Sequence, residues 1–585
     1  MDGDTRETQQ PELMELERVL PLLVSTRGYN RDSFAADLLA AVIVTIMLIP
    51  QSLAYSLLAG LPPEVGLYAS ILPLIVYACF GTSRTLAVGP VAVASLMTAS
   101  ALAGFAQQGT DQYLAGAIVL ALLSGLFLLL LGLLRLGVLA NLLSHPVVSG
   151  FITASGILIA FSQLKHALGV DVQGQTLPEM GQTLLAGWGS VNAYTVAISA
   201  SVLIFLFWSR SNASSFLVRL KVPHQKAELL AKASPIVGVM ATIAATLFLE
   251  LDTKGVAVVG SVPSGLPVFQ FPVLTFALVE QLFLPAIMIS IIGYVESVSV
   301  GKTLAAKRRQ RIDVNQELIG LGAANVASAL SGAFPVTGGF SRSVVNFDAG
   351  AVTQLASIFC ACGIAIVSIF LTPALYYLPK ATLAATIIVA VLALIDVAIL
   401  KRTWDISKSD FSAVLITIVV TLLFGVEMGV ACGVLSSIAL HLARTSMPHI
   451  AEVGLIEGSE HFRNVRRHLV QTAPEILSLR MDESLFFANA HHLENRIYDS
   501  VFRKDKIAHV ILQCSALNEI DVSALEVLEG INAQLAEQGV QLHLSEIKGP
   551  VLDTLERSGF LPGISGRVFL TQFDAYTEVS KLLDA

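Results

Sequence analysis

Two short stretches decide how this chain is read: TLAVGP (85–90), which runs into VAVASLM, and FPVTGGF (334–340), which runs into SRSVV. Proline fixes φ and lacks an N–H, and glycines weaken a helix, so neither stretch is helical throughout. Each is read as an extended segment feeding a short helix inside an apolar region, the first starting at Pro90 and the second at Ser341. A helix that begins there presents unpaired N–H groups and the positive end of its dipole.

Around these stretches the chain is unusually apolar. Of its 585 residues, 54% are hydrophobic and only 14% are charged, against about one quarter charged in soluble domains. About 20 apolar residues span a bilayer. From Phe34 to Leu442 apolar runs follow one another at 37–58, 64–80, 90–105, 113–134, 139–164, 192–209, 234–250, 284–303, 316–333, 341–349, 353–375, 381–398, 410–424 and 427–443. That predicts an α-helical polytopic membrane protein of fourteen spans, two of them short. The interrupted spans are third and tenth, so the halves match as seven plus seven in inverted topology, which places a site at the bilayer midplane.

Residues 2–33 are polar and acidic, so the first span reads as uncleaved, after a cytoplasmic N-terminal segment (1–33). Alternate counting then collects Arg84, Arg135, Arg210, Arg219, Lys221, Lys226, the 307–311 cluster KRRQR, Lys401, Arg402 and Lys408 in one set of loops. The other set holds little beyond Lys165, Lys254 and Lys380. This bias puts the first set, and both termini, in the cytoplasm. The transporter region is bounded at 34–444.

Beyond Arg444 the composition turns charged. Residues 445–473 are read as a linker containing HFRNVRRH, and 474–585 as a small soluble α/β domain. Its expected strands are ILSLRM (476–481), SLFFAN (484–489) and AHVILQC (508–514). Val522, Leu525, Leu528, Ile531 and Leu535 form a helical stripe.

An ionisable residue within a span costs a few kcal/mol, roughly 2.5–3.5 on insertion scales, and marks a pathway or site. Glu296 in IMISIIGYVESVSV and Arg342 in GGFSRSVV meet that description. Two half-helix ends converging from the third and tenth spans form an anion site, to which Arg342 adds a full charge. Pro90, Val91 and Ala92 face Gly339, Phe340 and Ser341 across it, with backbone donors on both sides and the Ser341 hydroxyl. The alternative makes Pro90 and Pro335 simple kinks and Arg342 an interfacial cation. Gln51 and Tyr55, one turn apart in IMLIPQSLAYS, share a face; an amide there either donates to the anion or bonds a neighbouring helix. Glu296 reads either as a relay for a coupling proton or cation, or as a structural partner of Arg342. Asp313 and Asn315, with Gln316 and Glu317, look like cap and first-turn residues.

The five cysteines, Cys79, Cys360, Cys362, Cys432 and Cys514, show neither a CxxC pair nor zinc spacing. No nucleotide loop or nucleophile–base pair is present, so neither enzyme chemistry, cofactor, metal nor nucleic-acid partner is expected. The net charge of −8 bears on solubility, not on the site.

The runs IPQSLAYSLLAGLPPEVGLYAS (49–70), FGTSRTLAVGPVAVASLM (80–97) and NQELIGLG through FPVTGGFSRSVVNFDAG (315–350) resemble the SulP family of anion carriers. LFFANA followed by NEIDVSALE resembles a STAS domain. The likeness covers the chain from about residue 30 onward. It implies fourteen spans in a seven-plus-seven repeat, a core domain moving against a gate domain, a homodimer, and secondary transport of sulfate, bicarbonate, chloride or small dicarboxylates. It also implies that Gln51, Tyr55, Pro90, Val91, Ala92, Glu296, Phe340, Ser341 and Arg342 fall on substrate-site positions. Sodium-dependent bicarbonate carriers tend to have aspartate where this chain has Glu296; glutamate resembles the proton-coupled members. The expectation is proton-coupled sulfate uptake across the plasma (inner) membrane. Bicarbonate or C4-dicarboxylate carriage, an uncoupled channel or exchanger, and an anion sensor signalling through the STAS domain to a cytoplasmic partner are the alternatives. Asp521-Val522-Ser523 resembles the loop phosphorylated on serine in soluble relatives; Ser523 is otherwise expected to cap its helix.

Overall fold

The computed structural model describes residues 19–138, 144–172, 174–224, 227, 231, 234–503 and 506–584. Lys226, residues 1–18 of the N-terminal segment and the start of the span expected at 139–164 lie outside them. The chain divides into two compact units, Met1–Ser437 and Ile438–Ala585.

Each of the fourteen expected spans carries helix. In order these are α1 (Arg31–Leu58), the pair α2 (Pro63–Tyr68) and α3 (Leu72–Phe80), α4 (Ala92–Ala103), α5 (Asp111–Leu133), α6 (His145–Ser162), α7 (Ala193–Arg219) and α8 (Ser234–Leu249). Then follow α9 (Phe276–Lys307), α10 (Val314–Leu330), α11 (Phe340–Asp348), α12 (Leu355–Phe370), α13 (Lys380–Leu392), α14 (Lys408–Phe424) and α15 (Val426–Ser446). Seven helical segments among the described residues are long and apolar enough to cross a membrane. α9 runs for 32 residues, past the expected 284–303 at both ends and through Pro285 and Gly301. Short helices at Leu164–Leu168, Leu177–Ala186 and Ala398–Ile406 were not expected.

The spans pack through two apolar clusters. One joins Val93 and Met97 of α4 to Leu120 of α5, Ile289 of α9 and Leu321 of α10; the other joins Leu48 of α1 to Ile364 of α12 and Ile387 of α13. α5 and α10 approach closely because small residues face each other. A Cβ on Gly125 would lie 2.8 Å from the Gly322 carbonyl oxygen, the small-residue contact that lets membrane helices associate.

At the end of this pair Glu317, fully buried, gathers four hydrogen bonds. Tyr77 donates its hydroxyl to Oε2 at 2.7 Å, and the N–H and hydroxyl of Thr82 and the Ser83 N–H donate to Oε1 at 2.7, 2.6 and 3.1 Å. Asp313 caps α10 by accepting from the Asn315 and Gln316 N–H groups, as expected for this segment. Among the described residues Glu317 therefore acts as a structural tie.

Two short strands cross inside the membrane unit. β1 (Val88–Gly89) pairs antiparallel with β2 (Thr337–Gly338), with Val88 opposite Gly338 and Gly89 opposite Thr337. Ser297 of α9 braces the crossing: its hydroxyl accepts from the Gly338 N–H at 2.9 Å and lies 2.7 Å from the Thr337 hydroxyl. On the other side the Ala87 N–H donates to the Ser343 hydroxyl, and Asn346 donates to the Thr85 carbonyl.

The second unit is built on a six-stranded sheet in the order β4-β3-β5-β6-β7-β8. Its strands are β3 (Ile450–Leu455), β4 (Phe462–Asn464), β5 (Ile476–Met481), β6 (His509–Gln513), β7 (Gln541–Ser545) and β8 (Val568–Phe569). β5 through β8 are parallel, with α16 (Ala490–Arg503), α17 (Val522–Glu537) and α18 (Gly549–Arg557) as crossovers. Alternation sorts the faces: Val510 and Leu512 meet Leu493 and Leu528, whereas Ile511 meets Ala575 and Val579 of α19 (Gln572–Asp584).

Three expectations are corrected here. Residues 445–473, expected as a linker, contain β3 and β4, and β3 pairs antiparallel with β5. SLFFAN is not a strand: Asn489 accepts from the Phe486 N–H and donates to the Ser484 carbonyl, folding the run into a turn. Leu485 keeps only an isolated bridge to Ile520. Ser523 does not cap α17. Asp521 does, accepting from the Ala524 N–H at 2.8 Å and, through its other oxygen, from the Phe487 N–H at 2.9 Å. Ser523 lies exposed in the first turn. The stripe on α17 is buried from Leu525 onward, but Val522 is 74% exposed because it precedes the packed turns.

Candidate functional site

The β1–β2 crossing aims two helices at one point. β1 leads through Pro90 into α4, whose N-cap Val91 is extended at φ −133° and ψ 153°, and no side chain caps the helix. β2 leads into α11, with Gly339 as its N-cap and again no side-chain cap. The first N–H groups of each helix lack an intrahelical acceptor, so both ends carry positive potential into the space between them.

That space is a cavity of about 40 Å³, lined by Gln51 and Tyr55 of α1, Val91, Ala92 and Val93, Glu296 of α9, and Gly339 through Arg342. Ala390 of α13 and Leu394 just beyond it close the remaining wall. Nine of the ten residues expected from sequence to bind the substrate or coupling ion thus meet here. Pro90 does not line the cavity; it is buried behind it, where its fixed φ ends β1 and aims α4. Val93, Ala390 and Leu394 were not foreseen, because an apolar residue in an apolar span gives no signal.

Arg342 is only 2% exposed. Its Nη2 reaches the Thr337 carbonyl at 3.5 Å, a long contact, while Nε and Nη1 have no hydrogen-bond partner. Glu296 is 9% exposed, and its Oε2 is likewise unpartnered. Among the described residues no salt bridge within 4.0 Å joins the two, so the reading of Glu296 as a fixed ionic partner of Arg342 is not what the structure shows. A buried cation with idle donors and a buried carboxylate with an idle oxygen are costly. Such groups mark a place where something else supplies the partners.

Backbone clearance holds Arg342 in place. A Cβ on Gly339 would stand 2.6 Å from Arg342 Nε, and one on Gly89 would stand 3.1 Å from Nη1. The cavity shares Gln51, Phe340, Ser341, Ala390 and Leu394 with a larger vestibule of about 680 Å³ that reaches Ser209, Arg210 and Ser214 of α7. Phe340, 48% exposed, stands where the two meet. The donors suit a small anion. Among the described residues no group of three or more His, Cys, Asp or Glu side chains is placed to hold a metal ion.

Residues 34–417 match the model of the Sulfate permease family, and residues 468–575 that of the STAS domain. The chain is 35% identical over 559 residues to sulfate transporter 4.1, chloroplastic, of Arabidopsis thaliana, covering 93% of this chain and 80% of the relative. It is 31% identical over 589 residues to sulfate transporter 1.3 of the same plant, covering 98% and 89%. A solved structure of SLC26A9 superposes with a TM-score of 0.87 at 22% identity, covering 99% of this chain and 96% of the other. The transmembrane domain of the cyanobacterial bicarbonate transporter BicA gives 0.57 at 22% identity, covering 70% and 98%. With a helical membrane unit built around two opposed, uncapped helix ends and a STAS domain after it in the sequence, this chain belongs to the sulfate permease family and is an anion transporter.

Proposed function

We propose that the protein is a secondary transporter that takes up sulfate together with protons. The observation that carries this reading is the single cavity shared by two uncapped helix ends, the idle donors of Arg342 and the idle oxygen of Glu296. The helix ends and the guanidinium attract an oxyanion. An ionised carboxylate in the same cavity repels it, so a proton on Glu296 favours anion entry, and the anion favours the proton. That reciprocity is coupling. Sulfate is preferred as substrate because the relatives at 31–35% identity bear that name.

In this reading the fourteen spans form two inverted halves, and the cavity alternates between the two sides of the membrane. The vestibule beside Arg210 opens toward the arginine-rich side, which the loop charges make cytoplasmic. The protein resides in the plasma membrane as a homodimer with both termini inside, and the STAS domain modulates transport through a cytoplasmic partner.

The test is uptake of radiolabelled sulfate, bicarbonate and succinate into proteoliposomes under a proton gradient, a sodium gradient or neither. Proton-driven sulfate uptake in the wild type, with loss of the gradient's effect in Glu296→Gln, supports the proposal. Sodium-driven bicarbonate uptake, or a flux indifferent to gradients and to the substitution, overturns the substrate and coupling while leaving anion transport intact.

A further inference from the structure

A second cavity, which shares no lining residue with the one at the helix crossing, is larger and more basic. It holds about 830 Å³ and is lined by Arg84 after α3, Arg135 after α5 and Arg311 between α9 and α10. Pro21 and Val24 of the N-terminal segment form part of its wall. None of the three guanidinium groups makes a hydrogen bond or ion pair among the described residues. The one carboxylate in the lining, Asp313, is already committed to capping α10. Three of the four lining amides are tied to backbone: Asn315 accepts from the Gly137 N–H, Gln316 donates to the Phe80 carbonyl and Gln354 donates to the Gly81 carbonyl. The cavity therefore offers three free guanidinium groups, with the capping Asp313 as the one carboxylate beside them.

Its place in the fold says what kind of anion fits. α3, α5 and α9 end at its rim and α10 begins there, which sets it at the level where spans leave the bilayer. Arg135 is held at φ 57°, a conformation rare for a residue with a side chain, at the end of α5. The last turns of α5 expose Leu130, Leu133 and Leu134 by 53%, 74% and 59%. A basic pocket beside an exposed leucine face matches a molecule with a phosphate head and hydrocarbon tails. Pockets of this kind between membrane helices take anionic lipid headgroups. We propose that this cavity seats the phosphate headgroup of an anionic phospholipid whose acyl chains lie along the end of α5.

The experiment uses the full chain in phosphatidylcholine, with and without phosphatidylglycerol, and reads lipid binding by native mass spectrometry. The variant Arg135→Gln/Arg311→Gln removes two exposed cations. The control Lys401→Gln/Arg402→Gln removes as many exposed cations from the helix Ala398–Ile406, outside the cavity. Weakening of phosphatidylglycerol binding on the order of thirtyfold in the first variant, with none in the control, supports the proposal. Melting in phosphatidylcholine alone shows whether the variants are folded, and Arg135→Lys/Arg311→Lys, which keeps the charge, retains binding. Equal loss in variant and control, or no loss in either, overturns it. Inorganic phosphate or pyrophosphate that occupies the wild type and displaces phosphatidylglycerol in an arginine-dependent way assigns the cavity to a soluble phosphate, which overturns the lipid as its source.

Discussion

Two buried glutamates on consecutive helices were put to opposite uses. Glu317 on α10 spends both oxygens on Tyr77, Thr82 and Ser83, and so ties the end of one helix to the loop after another. Glu296 on α9 keeps an oxygen idle at a cavity wall. Both are carboxylates in apolar surroundings, so burial alone does not separate structure from function. The number of donors already turned toward each carboxylate does. Where the protein supplies the partners the group is a fastener, and where it withholds them the group is left open to a ligand.

The largest effect that this contrast predicts is at Arg342. Replacing it with Gln removes the only full positive charge in the cavity lining, at a cost of about 3–5 kcal/mol. Anion uptake, read as kcat/KM in proteoliposomes, should fall more than about a hundredfold while the melting temperature stays near the wild-type value. A large fall in stability instead would make Arg342 a fastener like Glu317.

Glu317→Gln should do the reverse. Stranding donors that now meet a carboxylate costs about 2–3 kcal/mol of stability, visible as a lower melting temperature, with transport per folded molecule unchanged. Loss of transport without loss of stability would break the comparison.

A related effect is expected in the STAS domain. His543, buried on β7, accepts the Arg567 N–H at its Nδ1 and lies 3.2 Å from His509 through Nε2. Burial, then the charges of His509 and Arg567, lower its pKa from 6.5 to about 4. A folded-state pKa below the unfolded value means that the neutral form fits the fold, so stability is full above pH 6.5 and is lost as pH falls toward 4. Between pH 7 and pH 5 the loss is about 2 kcal/mol, and hydrogen exchange of β6 and β7 in the full chain should show it; in His543→Gln that pH dependence should flatten.

The smallest effect is expected from Gly89→Ala. The added methyl lands 3.1 Å from Arg342 Nη1, and moving a flexible side-chain end by a few tenths of an ångström costs about 1 kcal/mol. A roughly fivefold rise in KM with kcat unchanged would place the strain on binding. A wild-type KM would mean that the guanidinium is not held where the anion meets it.

Much of this was legible before the structure. Charged residues in apolar runs pointed to Glu296 and Arg342, the one-turn spacing joined Gln51 to Tyr55, and the interrupted segments gave the two helix starts to within two residues, Ala92 for the expected Pro90 and Phe340 for Ser341. Each is a local departure from an apolar background. What stayed hidden was either unmarked or decided by a distant partner. Ala390 and Leu394 look like any wall of a span. SLFFAN has the apolar run of a strand, and only the hydrogen bonds of Asn489 turn it away from the sheet. β3 and β4 are short and polar enough to pass for linker until antiparallel pairing gives them partners. Ser523 sits where a cap could be, but Asp521 stands nearer the first free N–H groups and can accept from two elements at once.

The β1–β2 crossing has one further consequence. Because α4 and α11 hang from strands that share hydrogen bonds and a common brace on Ser297, the distance between their tips is set by the crossing and not by the surrounding helices. In the proposed transport cycle the wall carrying Ala390 and Leu394 can change neighbours while the tips keep their spacing. Under that proposal an anion meets the same set of donors when it boards and when it leaves, so selectivity is written once, into a two-rung ladder.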